Sequence, residues 1–156
     1  MIGNPNPTGS RTNCWQVALA VDKNLSGKLT QAADSPGFSL DWDEAILPTV
    51  TSIWNSKSTF DALADKANKQ FFADSPNKMH AVGNQFDIAN EIAQGGDGAR
   101  GIVYAFTDPP NAVGHAFNVV NVDGKPVFVD GQSMEAADEN SPFFQSHKTL
   151  YFVRTH

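Results

Sequence analysis

The sequence predicts an α+β fold built on an antiparallel sheet. Three observations predict it. Helix-like periodicity is confined to the earlier part of the chain, β-branched and aromatic runs crowd the last third, and two of those runs are joined by Asp123-Gly124, a strong hairpin signal. At 156 residues the chain has the size of a single domain, and eleven Phe and three Trp give that domain bulky core material.

The first residues, MIGNPNPTGS, offer almost nothing to bury, so residues 1–12 read as a linker or the cut edge of a longer polypeptide and 13–156 as the domain proper. From Asn13 the pattern changes. Cys14, Ala18, Val21 and Leu25 recur at helical spacing, Thr12 or Asn13 can cap, and Gly27 can stop the run. This predicts a buried helix over 14–25 with Cys14 in its first turn.

Further helices are expected around 43–54, 58–72 and 84–94, interrupted by Pro36, Pro48 and Pro76, with Ser58-Thr59-Phe60-Asp61 as a capping signal. After Gly95-Gly96-Asp97-Gly98 come four strand-like runs at 101–106, 115–122, 125–130 and 149–154. The expected architecture places the N-terminal, Cys-bearing helix on this C-terminal sheet.

Composition narrows the function. Eleven basic residues against seventeen acidic ones give a net charge of −6, and no Lys/Arg stripe is dense enough to follow a phosphate backbone, so nucleic acid is not the expected partner. No run approaches the ~20 apolar residues of a membrane span, and the start lacks the basic and apolar regions of a secretory leader. Cys14, the single cysteine, excludes an internal disulfide and any zinc site with two thiolates. His80, in a Pro-bounded loop, His147 and His156 have no carboxylate partner by spacing. Asp41 and Asp43, and the group Glu135, Asp138 and Glu139, read as solvated loops and helix starts. No metal and no cofactor is expected, and the chain is expected to be a monomer.

The chemistry concentrates elsewhere. A two-residue loop at Asp123-Gly124 sets Val122 opposite Lys125, Val119 opposite Phe128, Phe117 opposite Asp130 and His115 opposite Gln132. His115 and Asp130 are then diagonal neighbours on one face, close enough for imidazole and carboxylate to hydrogen-bond. Such an Asp fixes the tautomer of the ring and stabilises its cation, which orients a general base. The nucleophile that this pair lacks is Cys14, since the first turn of a helix presents free N–H groups and the positive end of the dipole, and both favour a thiolate.

Asn13-Cys14-Trp15 opening the helix, Leu25 and Gly27 closing it, Arg100-Gly101-Ile102-Val103, Gly114-His115-Ala116-Phe117-Asn118-Val119-Val120-Asn121 and Val129-Asp130-Gly131-Gln132 together resemble the papain-fold toxin domains of the glutamine-deamidase type. The resemblance spans Asn13 to Gln132, concentrated in three blocks in the order Cys, His, Asp-x-Gln. It implies a papain-like domain with Cys14 as nucleophile, His115 as base and Asp130 as orienting acid, deamidating a protein glutamine through a thioester. It implies a bacterial secreted toxin or effector that acts in the target-cell cytosol and has a cognate immunity protein.

One feature departs from that pattern. Papain-like enzymes place a Gln before the nucleophile to hold the oxyanion, whereas this chain has Asn4, Asn6 and Asn13 there. The Cys14 backbone N–H with support from Asn13 and Gln132 is the expected substitute. Rival readings keep the same three residues in a peptidoglycan amidase, or in a protease-like or transglutaminase-like effector. A third makes the domain a non-catalytic binding module with an ordinary thiol.

Overall fold

The computed structural model describes residues 14–26, 57–108 and 114–156. The linker at 1–12, Asn13 and the helix expected at 43–54 lie outside these residues. Helix α1 covers Cys14–Leu25, the span expected from its periodicity, and α2 covers Lys57–Phe71. The second helix begins at Lys57 and takes in Ser58. A short strand β1 (His80–Val82) precedes α3 (Gln85–Gln94), whose cap Asn84 accepts from the backbone N–H groups of Phe86 and Asp87.

The rest is sheet. Strands β2 (Arg100–Phe106), β3 (Gly114–Val122), β4 (Lys125–Asp130), β5 (Glu135–Ala137) and β6 (Thr149–Arg154) follow, with the one-turn helix α4 (Phe143–Ser146) before the last. All neighbours are antiparallel and the order across the sheet is β1-β6-β2-β3-β4-β5. The sequence signal missed β1, β5 and α4 because pieces this short carry no readable period. His80, expected in a loop, pairs through β1 with Phe152. Glu135, expected in a solvated loop or helix start, pairs through β5 with Asp130.

Strand parity builds two cores. Ile102, Tyr104 and Phe106 of β2 and Tyr151 and Val153 of β6 face one side, where they pack with Ala18 of α1 and with Phe60, Leu63 and Ala67 of α2. Val103, Ala105, Leu150 and Phe152 alternate with them and face the other side, packing with Ile88 and Ile92 of α3 and Phe144 of α4. The central strands are therefore apolar on both faces, which explains why they read as near-continuous apolar runs.

Two buried amides on β3 tie the layers together. Asn118 donates to the Ala18 carbonyl in α1 at 2.8 Å, while Asn121, facing the other way, donates to the Ile92 carbonyl in α3 at 3.1 Å. Asn121 also receives the Gly124 N–H at 2.8 Å and so closes the hairpin. At that turn Asp123 has φ 53° and Gly124 φ 84°, the two positive values that a type I′ turn requires.

The hairpin register is the one the two-residue loop predicts, from Val122 opposite Lys125 to Asn118 opposite Val129. The expected pairs Phe117 with Asp130 and His115 with Gln132 are not formed. The Asp130 carboxylate turns back to receive the backbone N–H of Gln132 at 2.9 Å, which ends β4 and starts the turn into β5.

Candidate active site

Three elements deliver the candidate side chains. Cys14 is the first residue of α1, half-buried against the core that α1 shares with α2. His115 is the second residue of β3, and Asp130 ends β4. By strand parity His115 faces away from α1, at the very start of its strand.

The imidazole Nε2 and Asp130 Oδ2 are 2.7 Å apart. Cys14 is close enough to the ring to raise its pKa. With Nε2 committed to the carboxylate, Nδ1 is the nitrogen left for the sulfur. The imidazole thus stands between a thiol and a carboxylate, bonded to the carboxylate.

Electrostatics follow from that bridge. Burial, the largest single influence on His115, pulls its pKa down. The hydrogen bonding and electrostatic pull of Asp130 and Cys14 outweigh burial and raise the pKa from 6.5 to about 9. Burial pushes Asp130 up, but the His115 hydrogen bond and charge, aided by the backbone N–H groups of Gln132 and Ser133, hold it below the usual carboxylate range.

The turn after β4 makes Asp130 rigid. Its Oδ1 accepts from Gln132 N at 2.9 Å and from Ser133 N at 3.5 Å, leaving Oδ2 to the ring. Gln132 therefore meets the site through its main chain. Asn13 lies outside the described residues.

Aromatic residues enclose the imidazole. Phe117 stacks on it with centroids 5.8 Å apart, and the edge of Phe143 approaches at 6.2 Å. Behind Phe143, His147 stacks at 3.9 Å with an interplanar angle of 10°. Burial lowers the His147 pKa, as does the positive charge of His115, against the pull of the Phe143 carbonyl. This neighbour was not legible in the sequence, since nothing in the spacing links a one-turn helix to the start of β3. A cavity of about 110 Å³ opens beside the pair, walled by His115, Asp130, Phe117, Phe128, Phe143 and Phe144.

Among the described residues no group of three His, Cys, Asp or Glu side chains could hold a metal ion, and no helix is long and apolar enough to cross a membrane. A thiol at a helix N-terminus, beside an imidazole that is itself held by a carboxylate, has the parts needed for acyl transfer through a covalent thioester. No curated protein matches the chain. Residues 12–134 match the family described as papain fold toxin 1, glutamine deamidase, a span that contains Cys14, His115 and Asp130 and most of the chain. This protein belongs to that papain-fold glutamine deamidase toxin family.

Proposed function

We propose that the protein is a cysteine-dependent deamidase toxin that converts a glutamine of a target-cell protein to glutamate, with Cys14 as nucleophile, His115 as acid and base, and Asp130 as the group that orients and charges the ring. The single observation that carries this reading is the His115–Asp130 bond of 2.7 Å, made by a ring whose pKa Cys14 also raises. Family membership supplies the reaction class.

The steps balance as follows. The Cys14 thiolate adds to the side-chain amide carbon of the substrate glutamine, and the carbonyl electrons move onto oxygen. As that oxyanion collapses, protonated His115 gives its Nδ1 proton to the leaving nitrogen and ammonia departs, leaving a thioester on Cys14. His115, now neutral, takes a proton from water. The resulting hydroxide attacks the thioester, glutamate is released, and the thiolate–imidazolium pair is restored. The Cys14 backbone N–H at the start of α1 holds the oxyanion, with Asn13 and Gln132 as supporting donors.

In this reading the domain is a monomer and the cytosolic-acting part of a larger secreted bacterial toxin, is opposed by a cognate immunity protein, and needs neither metal nor cofactor. The test expresses wild type beside Cys14→Ala in the bacterial cytosol and, through an export signal, in the periplasm, then searches both proteomes for glutamine-to-glutamate conversions. Cytosolic toxicity and conversions that Cys14→Ala abolishes are the expected result. Harm confined to the periplasmic arm, without conversions, would assign the same residues to a cell-wall amidase.

A further inference from the structure

Helix α1 is fastened to the sheet at three successive turns of one face. At its start Cys14 meets His115, one turn on the Ala18 carbonyl receives the Asn118 amide at 2.8 Å, and one turn further Asp22 receives Arg100 Nε at 3.2 Å and the Thr155 hydroxyl. The helix positions are spaced by four residues. The sheet positions His115, Asn118 and Val120, the last being the register partner of Arg100, advance in the same direction along β3.

The middle fastening differs from the outer two. Asn118 is 0% exposed, whereas the Arg100 and Asp22 side chains reach solvent. Its amide has one allowed orientation, because a flip would set Oδ1 against the Ala18 carbonyl oxygen. In that orientation Oδ1 is buried with no partner among the described residues. A buried oxygen without a partner is costly. Among the described residues, an apolar side chain of the same size would avoid that cost.

We propose that Asn118 is a positioning residue that fixes the height of α1 along β3, and through it the approach of the Cys14 sulfur to His115. This rests on the reading of Cys14 and His115 as the reacting pair. The bond lies one helical turn from the thiol and three strand residues from the imidazole, so sliding or tilting of the helix start is opposed there first. The Asp22 fastening, two turns from Cys14, holds the far end.

The test uses the full chain and reads Cys14 directly. Asn118→Leu, Asn118→Thr, Asp22→Ala and His115→Ala are compared with wild type in melting temperature and in the pH dependence of alkylation by iodoacetamide. Asn118→Leu is expected to melt at or above the wild-type temperature yet to alkylate at pH 6 roughly tenfold more slowly, with a profile moved toward that of His115→Ala. Asp22→Ala is expected to melt lower and keep the wild-type profile. Asn118→Thr gives the same reading if the Leu variant does not fold. A folded Asn118 variant with the wild-type profile overturns the proposal, as does a slowing that merely tracks lost stability across all variants. If wild type and His115→Ala alkylate alike, the reacting-pair reading fails and the proposal falls with it.

Discussion

Both carboxylate oxygens of Asp130 are occupied as acceptors, Oδ2 by the His115 ring at 2.7 Å and Oδ1 by the Gln132 backbone N–H at 2.9 Å. An asparagine has one acceptor oxygen and can serve only one of these donors. If its oxygen stays with the turn, its NH₂ faces Nε2 and forces the proton onto Nδ1, the tautomer that cannot take a proton from the thiol. Asp130→Asn is therefore expected to lose on the order of 10²-fold or more in kcat/KM, close to the loss in Asp130→Ala. Ammonia release measures the rate, and ¹⁵N shifts of the imidazole report the tautomer.

The pH dependence of deamidation has a definite sign. In the proposed mechanism His115 is protonated to hold the thiolate and to supply the leaving nitrogen with a proton, and its pKa is raised to about 9. Activity is expected to fall as pH rises through about 9. In Asp130→Asn, where the negative charge is gone, this alkaline limb should move to lower pH. A limb that stays in place would separate it from His115.

Stability responds to the same pair. The raised pKa of His115 means its contribution is fully present below 6.5 and is lost as pH rises through about 9. The depressed pKa of Asp130 means its contribution is present above the usual carboxylate value of 3.8 and is lost as pH falls below it. Denaturant unfolding of wild type is expected to show greatest resistance between these limits. His115→Ala should lose the alkaline decline assigned to the pair.

Gly114 precedes the imidazole, and its lack of a side chain is required by close approach. A Cβ there would lie 2.6 Å from Tyr104 Cε1 and 2.9 Å from Phe106 Cε1, both in the core beneath α1 and α2. Gly114→Ala is expected to cost about 1–3 kcal/mol and to displace His115, lowering kcat more than stability alone accounts for. Calorimetry and initial rates on the folded fraction check both parts.

Phe144 closes the far core, with its ring centroid 5.0 Å from that of Phe128 and 6.1 Å from that of Phe117. Phe144→Ala is expected to destabilise by about 3–5 kcal/mol, against a change within about 0.5 kcal/mol for the exposed Phe86→Ala. Urea denaturation distinguishes them.

Much of this arrangement was legible in the amino acids. The bounds of α1 followed from an apolar period uninterrupted over three turns, and the β3–β4 register followed from a two-residue turn whose backbone demands leave little choice. Because parity then fixes faces, the meeting of His115 with Asp130 could be read before any coordinates. The last residues of the hairpin could not, since Asp130 exchanged a ladder partner for a turn bond of its own side chain. Nor could His147, Phe143 or the cavity beside the imidazole, because they depend on where a four-residue helix comes to rest after β5. The fully buried Asn118 is a comparable case: within an apolar run a single amide gives no hint of which carbonyl it will meet.

The strand order has a consequence for the two cores. β6, the last strand in chain order, inserts between β1 and β2 in the interior of the sheet. From that slot Leu150, Tyr151, Phe152 and Val153 fill both cores. Without them neither layer of helices has a complete surface on which to settle, so one strand locks the two faces of the sheet together.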